Sequence, residues 1–61
     1  MTAPEWLLLV AMLQQQGGHC VAKEDRKFFA QMVNQLTVDD APVPLPWQQK
    51  WILAVKKECR L

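Results

Sequence analysis

Apolar residues recur along this chain at intervals of three and four, the spacing that gathers side chains on one face of a helix. Trp6, Leu9, Val10 and Leu13 make the first such stripe. Ahead of it, Thr2-Ala3-Pro4-Glu5 reads as a capping box, in which the Thr2 hydroxyl accepts from an early helical N–H and Glu5 reaches back to the cap N–H. Proline is tolerated in that first turn because no intrahelical donor is lost there. Leu, Met, Ala and Gln favour helix as far as Gln16, and Gly17-Gly18 supply a left-handed stop. The pattern predicts a helix over about 3–16. Leu7, Leu8 and Met12 widen its stripe beyond what one small partner helix covers. A helix of that kind is either central to a bundle or exposed at an interface.

His19 to Ala22 read as a short loop, and a second helix is predicted over about 23–36. Glu24 and Asp25 suit the positive end of its dipole. Phe29, Met32, Val33 and Leu36 step by three, one and three, with Phe28 joining Met32 at a spacing of four. Arg26, Lys27, Gln31, Asn34 and Gln35 make the opposite, solvated face. The stretch Thr37 to Pro46 alternates three prolines with apolar residues. Each proline drives its predecessor out of the helical region, so this connection runs extended, with Asp39-Asp40 as a turn and Val43 and Leu45 packing inward. It lacks the PxxP spacing of a proline-recognition ligand. A third helix follows over about 47–59, with Trp47, Trp51, Ala54 and Val55 on its stripe and Ile52 and Cys59 flanking. No strand-like alternation occurs. The expected fold is all-α, a compact three-helix domain spanning residues 1–61, with the proline-rich connection before the last helix.

Length sets a limit on stability. A chain of 61 residues buries only about 60% of the surface its unfolded form exposes. Trp6, Leu7, Leu9, Val10, Leu13, Phe28, Phe29, Met32, Val33, Leu36, Trp51, Ile52 and Val55 supply the expected core. Conformational entropy nearly cancels what such a core gains, so a staple or a partner is expected to help. The net charge of +1 gives no strong field for nucleic acid or anionic lipid. The apolar run from Trp6 to Leu13 is far short of the roughly 20 residues that span a bilayer. It has no basic residues ahead of it and no small-residue cleavage site, which argues against an export signal. The expected location is the cytoplasm.

Cys20 and Cys59 are the only cysteines. Joining them would close a loop worth about 4 kcal/mol by chain entropy, but a cytoplasmic setting keeps thiols reduced. With His19 they make three soft ligands without CxxC or HxxxH spacing, short of the four that structural zinc takes. No metal or cofactor is expected. Nor is catalysis: the chain has no serine, one histidine and no glycine-rich phosphate loop. Adjacent His19 and Cys20 lack a third group to orient them, and the paired carboxylates at 24–25 and 39–40 are explained as a helix start and a turn.

Binding remains, in two forms. Tryptophan, methionine and arginine are enriched where proteins dock, and this chain has three tryptophans and surplus apolar positions on its first helix. The competing explanation is that the tryptophans are core, which suits Trp51 better than Trp47, placed beside prolines in a first turn. The alternative form is a DNA-binding regulator reading bases with Gln48 and Gln49 and phosphates with Lys50, Lys56, Lys57 and Arg60. Against it stand the long connection before the last helix, where helix-turn-helix motifs have three or four residues, and a net charge close to zero with no basic arm.

Phe28 and Met32 in "FFAQMVNQL", then Gln48, Trp51, Ile52 and Val55 in "QQKWILAV", fall at the spacing of a short helical module of phage and mobile-element proteins. That module runs F-x-x-x-M, a gap, then L-T-x-x-Q-x-x-W-L-x-x-I, and the second half of this chain resembles it. Pro44-Leu45 stand where the module has Leu-Thr. The resemblance implies a small accessory protein of phage or prophage origin inside a bacterial host, binding and redirecting a host or phage protein without enzyme activity. It carries over no site residues. The combined expectation is a protein-binding domain, as a homodimer or in a complex, in a bacterial cytoplasm. Its candidate contacts are Leu8, Met12, Trp47, Lys50 and Arg60.

Overall fold

Thr2 and Glu5 form both halves of the expected box. Thr2 Oγ1 accepts from the Glu5 N–H at 3.4 Å, and Glu5 Oε1 accepts from the Thr2 N–H at 2.9 Å. The bond from the Thr2 backbone N–H, with a smaller contribution from the Thr2 side chain, favours the ionised carboxylate and holds Glu5 below its ordinary pKa of 4.5. They start α1, Ala3–Gln14. The same third-residue device opens the other two helices without a hydroxyl to return it. Asp25 Oδ2 accepts from the Ala22 N–H at 3.1 Å ahead of α2, Lys23–Leu36. Gln48 Oε1 accepts from the Leu45 N–H at 2.8 Å ahead of α3, Pro46–Glu58. Each satisfies a donor that the helix itself leaves unpaired.

These three helices make the all-α fold of the computed structural model, which describes residues 1–16 and 19–60 and has no strand among them. α1 lies along α2 over much of its length and meets α3 over a shorter stretch. Ala3, Trp6, Leu9, Val10 and Leu13 of α1 face Phe28, Phe29, Met32 and Leu36 of α2, and Ile52 and Val55 of α3 close the core. Val10, Leu13, Phe29 and Ile52 are completely out of solvent. At about 1.5–3 kcal/mol for each large side chain removed from water, these residues carry most of the driving force. α2 and α3 meet mainly through side chains. Phe28 and Trp51 stack with ring centroids 4.1 Å apart and planes 5° from parallel, and Trp51 Nε1 donates to Asp25 Oδ1 at 2.7 Å.

Several details depart from the sequence expectations. α1 ends at Gln14 rather than near Gln16, and the Gly17-Gly18 stop lies outside the described residues. Leu7, Val33 and Trp51 are half-buried against the core, while Val21, read as a loop residue, is inside it. The connection is extended, with Asp40 in the left-handed region at φ 56° and the Ala41 N–H bonded to the Val38 carbonyl. Its register is the reverse of the one expected: Val43 and Leu45 are exposed and Pro44 is buried. A proline ring brings no N–H into the core, so burying it leaves no donor unpaired, and the Pro44 carbonyl accepts from Gln49 Nε2 at 2.7 Å. The inward face of α3 is Gln48, Ile52 and Val55, turned away from the predicted stripe, so Trp47 and Ala54 point outward. Finally, Cys20 and Cys59, expected as thiols, are joined in a disulfide that ties the loop ahead of α2 to the C-cap of α3.

Candidate functional site

At 100° per residue, the core stripe of α1 leaves Leu8 and Met12 one turn apart on its far side, in line with Glu5. α3 passes beside that flank and contributes Leu53 and Lys56. Between them is an open groove of about 280 Å³, lined by Met1, Glu5, Leu8, Leu9, Met12, Leu53 and Lys56. Leu9 is its buried floor, whereas Met1, Leu8, Met12 and Leu53 are exposed, Leu8 at 64%. The lining is apolar apart from the Glu5 carboxylate and the Lys56 ammonium. A depression of that size and character accepts one or two apolar side chains, and its two methionines, unbranched and polarizable, adapt to more than one shape.

Of the five candidate contacts, the groove unites only Leu8 and Met12. Trp47 is on the opposite flank of α3, with its ring centroid 6.0 Å from that of Phe28 and 6.4 Å from that of Trp51. It is 55% exposed, at the outer end of an aromatic row that begins in the core. Lys50 is exposed on the outer side of α3, and Arg60 follows the C-cap with φ 58°. Leu53 and Met1 were missed by sequence reading. Leu53 sits one turn beyond Lys50 and one residue after the core position Ile52, so periodicity alone gives it no distinct role.

The amides proposed to read bases are engaged inside the fold. Gln48 is buried, and its amide exchanges two hydrogen bonds of 3.2 Å with that of Gln35, which is therefore half-buried rather than solvated. Gln49 is held by the Pro44 carbonyl. Lys50, Lys57 and Arg60 remain exposed on α3 and its end. Among the described residues no three His, Cys, Asp or Glu side chains come together to hold a metal, and no helix is long and apolar enough to cross a membrane.

No protein-family model matches the chain, and no curated protein or solved structure matches it either.

Proposed function

We propose that this chain is a non-enzymatic protein-binding module that seats apolar side chains of a partner helix in the groove between α1 and α3. The observation that carries this reading is the row of exposed apolar side chains, Met1, Leu8, Met12 and Leu53, around a preformed depression. Single exposed leucines are ordinary, but contiguous apolar surface on a small domain marks a place of contact. An amphipathic helix laid in an apolar groove is a recurrent solution for such surfaces. The resemblance of the second half to a phage and mobile-element module adds a setting, a bacterial cell, and a class of partner, a host or phage protein. A second copy of the chain is one such partner.

A photo-crosslinking side chain placed at Leu8 in the expressing bacterium tests this. A discrete adduct at Leu8, absent with the same group at Gln31 and abolished by Met12→Glu with Leu53→Glu, is the expected result. Equal labelling from both positions, or none from either, overturns it. Sedimentation of the pure protein identifies the adduct as a second copy if the mass doubles. The DNA-regulator alternative retains only Lys50, Lys57 and Arg60 as free-standing features. It requires binding that weakens by orders of magnitude between about 50 and 200 mM salt.

A further inference from the structure

We propose that the Cys20–Cys59 bond is a redox gate on the docking of α3. Four observations lead there. α3 is the least buried helix: only Gln48, Ile52 and Val55 are inside, against five residues of α1 and four of α2. Its backbone approaches α1 over a short stretch, whereas α1 and α2 run together. Residues 37–45, the connection that precedes it, bury only Pro44, with Ala41 half-buried against the core, and so add little to hold α3 in place. Its N-terminal end is held by the Gln35–Gln48 amide pair and by Trp51 on Asp25, but its last turn is held by the disulfide.

Cys20 and Cys59 are half-buried at the edge of the core rather than enclosed in it. Closure needs an oxidant, and a small-molecule disulfide of the glutathione type suffices. One protein thiolate attacks it and releases one small thiol. The second protein thiolate then attacks the mixed disulfide and releases the other. Two electrons pass from the cysteine pair to the small disulfide, and the two thiol protons end on the released thiols or in water. Reversal reduces the bond. With the constraint lost, the unfolded chain regains the entropy of a loop whose ends are 39 positions apart, and the least buried helix loses the tether on its last turn. Because Leu53 and Lys56 form one wall of the groove, release of α3 also dismantles the groove.

This gate does not depend on what the groove binds, and its test needs no partner. The purified chain is equilibrated in glutathione buffers from fully oxidised to fully reduced, the bond is read by alkylation mass, and the helices by amide hydrogen exchange. Loss of protection from Ile52 to Glu58 by about ten-fold or more, over the same buffers that break the bond, is expected. So is a fall in Tm of roughly 10 °C or more. Protection lost in α3 ahead of α1 and α2 supports the gate, whereas loss to the same extent in all three helices overturns it. Reduction that leaves α3 protection within about two-fold overturns it, as does failure of the thiols to pair in the most oxidised buffer. The double variant Cys20→Ala, Cys59→Ala is expected to match the reduced chain in every buffer. If it does not fold at all, the reversible titration of the natural chain still decides.

Discussion

A glutamine in the first turn of a helix ordinarily faces water, yet Gln48 is buried because its amide closes two circuits at once. Its oxygen takes the Leu45 N–H, which no side chain at the cap covers, and its whole amide pairs with Gln35 across the α2–α3 seam. Gln48→Ala leaves both partners short, and a loss of about 1–3 kcal/mol is expected in urea unfolding. Neither circuit was legible beforehand, since a polar residue beside Trp47 and Lys50 reads as solvated and its partner is 13 residues away. The same holds for Asp25. Its place at a helix start was evident, but its bond to Trp51, across 26 residues, was not. Glu5 illustrates the opposite case, where spacing alone announced the box. Its folded pKa is lowered, so the stability it contributes is full above the ordinary value of 4.5 and is lost as pH falls through the lowered one. Glu5→Gln is therefore expected to flatten the acid limb of a stability–pH curve measured by thermal unfolding, leaving the curve near pH 7 displaced but parallel.

Among the elements, the helices were legible because burial on one side imposes a repeat that composition cannot hide. Trp6, Leu9, Val10 and Leu13, and Phe28, Phe29, Met32 and Leu36, are buried where the repeat placed them. α3 was legible in extent and in its core residues Ile52 and Val55, but its buried face is centred on Gln48 and Ile52 rather than on Trp47 and Trp51, because its apolar residues surround more than half of it. The proline-rich connection misled for a related reason. An extended strap has two sides, and hydrophobicity favours Val43 and Leu45 over the proline between them. What decides is the absence of a donor on Pro44 and the use of Leu45 as the cap of α3. Val43→Asp is accordingly expected to change stability by no more than about 0.5 kcal/mol. Pro44→Asp is expected to cost roughly 2 kcal/mol or more by burying a charge. Chemical denaturation of the two variants side by side measures the register of the strap.

For the molecule as a whole, a narrow stability margin and a surplus of apolar surface both follow from its size. The exposed part of that surplus was half legible: Leu8 and Met12 exceeded what one neighbour could cover, but only the fold brings Leu53 and Met1 beside them. Replacing Met12 and Leu53 together with glutamate is expected to leave Tm within a few degrees, since both are already exposed, while removing the crosslinked adduct described above. The disulfide was not legible, because two cysteines 39 residues apart say nothing of their distance in space, and the expected compartment argued for thiols.

That bond also divides the covalent chain in a way the helical architecture does not. Residues 20–59, with α2 and α3, form a closed macrocycle, and α1 is a linear arm outside it. Yet the arm contributes Val10 and Leu13 to the centre of the core. Cleaving the chain after Gln16 therefore yields two pieces that share one interior, a hydrophobic helix and a cyclic receptor for it. Mixed under oxidising conditions, they are expected to reassociate, with the emission of Trp6 shifting to the blue as it leaves water. Opening the macrocycle with a thiol should weaken that recombination. The protein is in this respect a ligand and its receptor joined in one chain.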